Sequence, residues 1–447
     1  MADSYLERTV TSAESLTKLT FSVWVKRSEL GRTQRIVSSS LSNYMTYWRF
    51  SSGDNLELWT QDGSGNSAFS FVSNKVFRDI NAWYNIVMSV DTTQSTEADR
   101  LKIWVNGVQE TSWSQSDYPA QNETIGLFGS TSSVVQIGRY SDNSDEFFNG
   151  SLSHLAIATG YAYTNTDFGS FDSTSGIWKF KSPSLANWGT NGVHLKFENS
   201  GALGTDSSGN SNTYTVNGNL KQSIDTPSNV FATLNSLNTS NSSNTFANGN
   251  TKTTVSGSWL GISSTIAVNK GKFYWEIQNS GGGNFGAGIG KVGVNGTSTS
   301  YFSTGNNWLF DQSTNYGYYR NGSGTVKANN NSTTTYGTTV ASGDILMLAW
   351  DADNGKLFTG RNGTWFDSSD PANGTSPMYE PTIGTDFWVP IFVAENNNIL
   401  VNFGTGYFGT TVVASAGTSS SGDDSVWEYD CPTGYYGLNT KNLNTYG

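Results

Sequence analysis

The chain has 447 residues, enough for two or three domains that each bury a core of their own. Its 49 glycines, 13% aromatic residues and only 14% charged residues suit turn-rich β-sandwiches and disfavour helices. A formal charge of −11 with scattered Lys and Arg excludes the basic stripe that nucleic acid requires, and no apolar run approaches the roughly 20 residues that cross a bilayer, so neither nucleic-acid binding nor membrane insertion is expected.

The first residues, MADSYLERTVTSAESLTKLTFSVWV, carry acids where a signal peptide carries bases, and no export is expected. Cys431 is the single cysteine, so no intrachain disulfide forms and the fold suits a reducing compartment. The Asn-x-Ser/Thr triplets at Asn122, Asn149, Asn321 and Asn362 are chance products of an Asn/Ser/Thr-rich chain.

Residues 1–215 read as strands in series: LTFSVWVKR, QRIVSSSL, MTYWRFSS, NLELWTQD, WYNIVMSVD, RLKIWVNGVQE, VVQIGRY and SLSHLAIATGYAY. Alternation places Phe21, Val23 and Val25 on one face opposite Trp24, and Leu101, Ile103 and Val105 opposite Trp104, so most strands are expected to bury one face. Asn106-Gly107 predicts a hairpin turn. Residues 216–251 lose the alternation and, with Pro227 and a Ser/Asn-rich tract, predict a linker, part ordered and part flexible.

A second run of strands fills 252–405: GISSTIAV, GKFYWEIQ, GAGIGKVG, NYGYYRNG, GDILMLAWD, GKLFTGRNG, WVPIFVAE and NILVNFG. Asn354-Gly355 predicts a type I′ turn between Ile345–Trp350 and Lys356–Arg361, and the nearby Asp351 and Asp353 read as turn chemistry, since the other oxygens of a calcium loop are missing. Residues 406–447 read as a tail ending in an aromatic patch, VWEYDCPTGYYGLNTKNLN, which could pair with a neighbouring subunit by strand addition. The expected class is all-β, two antiparallel sandwiches in tandem.

YLERTVTSAESLTKLTFSVWVKR, WYNIVMSVD, RLKIWVNGVQE and FFNGSLSHLAIA resemble the laminin-G-like, concanavalin-A-like jelly roll over residues 1–215. GKFYWEIQ, GIGKVG, YGYYRNG, GDILMLAWDADNGKLFTGRNG and VPIFVAENNNILVNFG resemble the SPRY (B30.2-like) sandwich over residues 255–405. With the connector GTDSSGNSNTYTVNG and the ending PTGYYGLNTKNL, the order resembles virion proteins of tailed bacteriophages, marine ones especially. That resemblance implies a tail-fibre, capsid-fibre or other surface component, assembled in the host cytoplasm beside other virion proteins, as a homo-oligomer.

Reactive chemistry is sparse. The E-x-D-x-E strand of retaining glycosidases is missing, and so are a nucleophile elbow, a P-loop and a zinc spacing. His154 and His194 alternate with apolar neighbours and read as core or sheet-face residues. No enzyme and no resident cofactor is expected. The laminin-G resemblance implies calcium at a sandwich rim, for which Asp142, Asp145 and Glu146 are the candidates, against a plain solvent loop.

Sugar recognition needs flat rings and hydrogen-bonding groups. The aromatic candidates in turn-rich stretches are Tyr44, Tyr47, Trp113 and Tyr118, then Phe285, Tyr301, Trp308, Tyr316 and Trp365. The SPRY resemblance, whose family binds partners through loops at one end, adds Phe310 and Arg320 to Trp308 and Tyr316; strand packing is the competing reading for Tyr316 and Tyr318. Three functions stay open: host-surface or glycan attachment, cementing of neighbouring virion subunits, and a less favoured glycan depolymerase.

Overall fold

Asn106 and Gly107 take φ of +48° and +78°, and Val105 pairs with Val108 across them, the two-residue hairpin that this dipeptide favours. Gly107 is required twice, because a Cβ there would also lie 2.2 Å from the Trp178 ring. Asn354-Gly355 closes its hairpin differently from expectation. Asp351 pairs with Lys356, which leaves a four-residue loop where only Gly355 has positive φ, at +66°. The Asp351 carboxylate sets that loop by accepting from the Asp353 and Asn354 amides at 3.1 and 3.0 Å and from Asn354 Nδ2 at 2.9 Å.

The computed structural model describes residues 4–41, 44–61, 67–125, 127–140, 145–240, 244–257, 259–292, 309–321 and 324–447. The chain divides into two compact units, Met1–Gln222 and Ser223–Gly447. The first carries β1 (Tyr5–Thr9), β2 (Lys18–Arg27), β3 (Gln34–Leu41), β4 (Tyr44–Phe50), β5 (Asn55–Gln61), β6 (Ser67–Val76), β7 (Tyr84–Asp91), β8 (Leu101–Val105), β9 (Val108–Gln109), β10 (Trp113–Asp117), β11 (Val134–Ile137), β12 (Gly150–Thr159), β13 (Gly169–Phe171), β14 (Trp178–Phe180), β15 (Val193–Leu195) and β16 (Thr215–Asn217). They form an eight-stranded sheet, β10-β6-β5-β4-β3-β11-β1-β16, and a six-stranded sheet, β15-β12-β2-β7-β8-β9.

Phe21, Val23 and Val25 of β2 share one core with Trp48, Phe50, Leu58 and Phe71 of the larger sheet, and the Phe21 and Trp48 rings meet edge-on at 3.9 Å. The expectation of one buried face fails at β2, whose Trp24 is also buried. Residues 163–190 supply the cover: Phe168 and Trp188 pack with Val87 and Ala156, and Phe180 reaches Trp24 at 6.4 Å. Trp178 joins that layer and donates from Nε1 to Asn85 Oδ1 at 2.9 Å.

The second unit carries β17 (Leu234–Thr239), β18 (Thr245–Ala247), β19 (Lys252–Val255), β20 (Leu260–Ser264), β21 (Lys272–Asn279), β22 (Asn284–Lys291), β23 (Asn315–Asn321), β24 (Gly324–Asn329), β25 (Ser332–Thr335), β26 (Ile345–Asp351), β27 (Lys356–Arg361), β28 (Thr364–Trp365), β29 (Trp388–Glu395), β30 (Asn397–Asn402), β31 (Tyr407–Phe408), β32 (Thr411–Val412), β33 (Tyr436–Gly437) and the helix α1 (Thr440–Tyr446). A seven-stranded sheet, β17-β20-β29-β22-β23-β24-β25, faces an eight-stranded one, β18-β19-β30-β21-β26-β27-β28 with β33 also paired to β21, across a core of Phe273, Trp275, Ile277, Phe285, Trp350 and Phe392. The protein is all-β in class, built of antiparallel sandwiches.

Two segments differ from the sequence reading. Of the 216–251 stretch expected as a linker, Leu234–Thr239 and Thr245–Ala247 are edge strands of the two sheets, because Phe231, Ala232 and Leu234 bring apolar surface that the core absorbs. The 406–447 stretch expected as a tail is a packed cover: Trp427, Cys431 and Tyr435 bury the outward face of Tyr274, Met347, Ala349 and Phe358. Its β33 pairs in parallel with β21 of the same chain, so this strand already has a partner.

Candidate functional site

Residues directly opposite in a sheet share a face, so the register of the first unit's larger sheet fixes what it presents outward. One row runs Trp59, Tyr47, Ser38, Gln136, Glu7 and Thr215, and a second runs Glu57, Arg49 and Arg35. Their strand neighbours Leu58, Trp48, Val37, Val135 and Leu6 point into the core. This outer face is aromatic and charged.

Tyr47 lies against Trp59 at 5.4 Å, with the guanidiniums of Arg35 and Arg49 at 3.8 and 4.6 Å from its ring centre. Arg35 also lies over Tyr140 at 4.3 Å. Glu146 pairs with Arg35 and, at 3.7 Å, with Arg49, which holds Glu57 at 2.6 Å. Farther along the face, Arg139 sits over Tyr5 at 4.5 Å and Phe147 at 5.9 Å, and Gln136 Nε2 donates to Glu7.

The segment after β11 folds onto this face. Ser38 Oγ donates to the Arg139 carbonyl at 2.8 Å, and the Arg35 amide donates to the Glu146 carbonyl at 2.9 Å. Glu146 takes φ of +53°, a left-handed geometry that costs a non-glycine residue about 1 kcal/mol or more, and there its carboxylate reaches both arginines. Burial lowers the Arg35 pKa, with Glu146 opposing, and raises the Tyr47 pKa against the two guanidiniums.

Of the residues anticipated from sequence, this face gathers Tyr47 and Glu146. Tyr44 belongs to β4 with its side chain outside the described residues, where Asp142, Tyr301 and Trp308 also fall. Trp113 and Tyr118 are rim positions of the core, edge-on to Phe71 at 5.2 and 4.8 Å, not loop aromatics. Phe310 is fully buried with Leu309, Ile391 and Val393, and Phe285 and Tyr318 are core residues as well. Tyr316 packs against Tyr379 and Trp388 at 5.2 and 6.0 Å, Trp365 stands 6.3 Å from Tyr274, and Arg320 donates to the Gly283 carbonyl at 2.9 Å. Rings hold the largest apolar area, so those written in turn-rich stretches still fold inward.

Asp145 Oδ1 accepts from the Glu146 amide, and both Glu146 oxygens face arginines, which leaves the expected calcium candidates engaged where they are described. Among the described residues no group of three or more His, Cys, Asp or Glu is arranged to hold a metal. Between the two sheets a gap of about 10 Å³ lined by Leu19, Trp48, Phe69 and Met88 is water-sized at most. The smaller sheet brings His154 and His194 together, Nδ1 to Nε2 at 3.4 Å, because β12 pairs with β15 beside a bulge where His154 takes φ of +47°. Trp188 stacks on His194 at 5.4 Å, and Phe180 lies tilted against His154 at 4.0 Å. Burial pushes both imidazoles down to about 4.

Sequence reasoning missed Trp59, Arg35, Arg49, Glu57 and Gln136. The pattern that carries them is the outward set of MTYWRF and NLELWTQ, where Tyr, Arg, Glu and Trp stand in positions that sandwich strands usually fill with Ser and Thr.

Residues 2–167 match the family model of the concanavalin A-like lectin/glucanases superfamily. The match takes in β1 to β12 and ends before β15 and β16. Among solved structures, a SAP-like pentraxin from Limulus polyphemus is similar at 17% identity and TM-score 0.29, over 43% of this chain and 85% of that one. The SPRY domain of human HERC1 is similar at 12% identity and TM-score 0.27, over 38% and 96%, and the TRIM65 PSpry domain at 13% and 0.28, over 38% and 91%. No curated protein matches.

Proposed function

We propose that the chain is a non-enzymatic surface-binding protein whose first unit engages a glycan through the outer face of its eight-stranded sheet. The observation that carries this reading is the Tyr47–Trp59 pair, half-buried and flanked by Arg35, Arg49, Glu57 and Glu146: flat rings for sugar faces beside fixed donors and acceptors for hydroxyls. Glu57 and Glu146 both face Arg49, an arrangement suited to holding a ligand and unsuited to the free carboxylate pair of a glycosidase. The superfamily match to residues 2–167 is compatible with binding.

The setting we propose is a virion, with the protein as a tail-fibre, capsid-fibre or similar surface component meeting a host-cell glycan or envelope protein in several copies. A second reading, an adaptor that cements neighbouring virion subunits, is favoured by Phe171 and Ile177, 52% and 62% exposed beside the β13–β14 hairpin. Antibody labelling of intact particles, paired with adsorption of purified protein to host cells, separates them. Label at exposed tips and saturable adsorption that Tyr47→Ala and Trp59→Ala abolish support attachment; label over the shell without adsorption supports the adaptor. No label on particles overturns the virion setting.

A further inference from the structure

The end strands of the sheets differ in how far they guard their open backbone. A strand at a sheet edge presents unpaired N–H and C=O groups to any other strand, and folds blunt it by shortening, bulging or charging it. Of the eight end strands of the four large sheets, β9, β15, β16, β18 and β28 are two or three residues long. β10 and β17 are longer, but both shift register against their neighbours, and β10 ends in the charged Asp117. β25, with the sequence STTT, has none of these devices. Its four residues are exposed and uncharged, and they pair with β24 in unbroken register from Asn329↔Ser332 to Val326↔Thr335.

The hairpin that leads into β25 fixes which of its backbone groups face out. Asn330 and Asn331 take φ of +49° and +58°, a two-residue turn whose closing pair is Asn329 and Ser332. The Tyr336 amide donates to the Thr325 carbonyl at 3.2 Å, so Tyr336, Thr334 and Ser332 turn their amides and carbonyls toward β24. Thr333 and Thr335 turn theirs away, to the open edge, where no strand among the described residues pairs with them. Two donors and two acceptors thus alternate along about 7 Å of uncharged edge. Two copies of this edge, set antiparallel about a two-fold axis through Thr334, satisfy one another: Thr333 exchanges both of its bonds with Thr335 of the second copy, and Thr335 does the same with Thr333.

We propose that the second unit carries a self-association site at β25, where a second copy of this chain adds its own β25 antiparallel and continues the seven-stranded sheet across a two-fold axis. Threonine side chains suit the contact, because opposed Thr pairs stabilise antiparallel strands and no charge on β25 repels its twin. A foreign strand would meet the same open amides; the register in which β25 pairs with itself and leaves none of its outward groups unmatched is what favours a second copy. A four-residue strand contact alone is smaller than the roughly 1,200 Å² of a stable interface, so single pairs form and separate, and an array of copies holds through many of them. This site is independent of what the first unit binds.

The test uses the full chain. In Thr334→Cys the two thiols meet on the axis with Cα atoms about 4.5 Å apart, within disulfide reach, while the native Cys431 is buried. Under mild oxidation this variant should form a disulfide-linked dimer about tenfold faster than Ser95→Cys, an exposed control on the first unit. Charge variants then check the register. Thr333→Lys with Thr335→Lys sets like charges in both opposed pairs and should weaken self-association, read by sedimentation, about tenfold; Thr333→Lys with Thr335→Glu sets opposite charges there and should restore it. Both positions are exposed, so the melting temperature should not move. Cross-linking no faster than the control overturns the proposal, and so does self-association that the double-lysine variant leaves unchanged. A chain that stays monomeric at every concentration, its β25 taken up by a strand of another protein or by none, overturns it as well.

Discussion

The buried ionisable groups of the two units respond to pH in opposite directions. His154 and His194 titrate near 4 when folded and near 6.5 when free, so between those values the unfolded chain takes up protons that the folded one refuses. Stability of the first unit is therefore present above pH 6.5 and declines as pH falls toward 4, by on the order of 2 to 3 kcal/mol per imidazole. Glu276 is the reverse case. Burial pushes its carboxyl up to about 7 from 4.5, although it accepts from the Glu428 and Tyr429 amides at 2.9 and 2.8 Å. The second unit is then most stable below pH 4.5 in this respect and loses stability as pH rises to about 7. Thermal unfolding across pH 4–8 should show the two trends, His194→Gln flattening the acid side and Glu276→Gln the other. A profile that neither variant alters contradicts both assignments. That the histidines lie inside was legible from their apolar neighbours; that they touch was not, because the strands that join them are 40 residues apart and pair only in the finished sheet.

Outward faces decide which elements can be removed. Strand alternation tells which residues of β2 and β8 face the core, and the structure agrees, with Val23 and Ile103 among the buried residues. It is less informative about covers. Tyr274, Met347, Ala349 and Phe358 make the outer face of β21, β26 and β27 apolar, and such a face needs a second layer, which the 414–447 segment provides. In sequence that segment looks like a tail because its Gly, Ser and Thr dominate and its anchors, Trp427, Cys431 and Tyr435, are widely spaced. Trp427 is fully buried, so Trp427→Ala should destabilise the second unit by about 3 to 5 kcal/mol and lower its melting temperature by about 10 °C. A shift under about 2 °C would mean that the cover is not integral. Removing 424–447 should unfold this unit for the same reason, so such a truncation measures stability before it measures assembly.

At the scale of the whole chain, both sandwiches are legible from alternation and turn dipeptides, whereas the candidate binding face is legible only in part. Tyr47 was visible, but its partners come from β3, β5 and the segment after β11, brought beside it by long-range register. The aromatics of turn-rich stretches, such as Phe310 and Trp113, were misleading, since Phe310 is buried and Trp113 packs at the rim of the core. What unites the chain is two cores that present outer faces of opposite kinds: the second unit hides Tyr274 and Glu276 beneath its own C-terminal segment, while the first keeps Tyr47 and Trp59 half-exposed. The central claim is that this first face does the binding. It is tested most directly by hydrogen–deuterium exchange of the full chain with and without host-envelope fragments that it adsorbs to. Added protection should concentrate in peptides spanning 34–61 and 134–148. Protection confined to the second unit, or to the β13–β14 hairpin, would contradict the account.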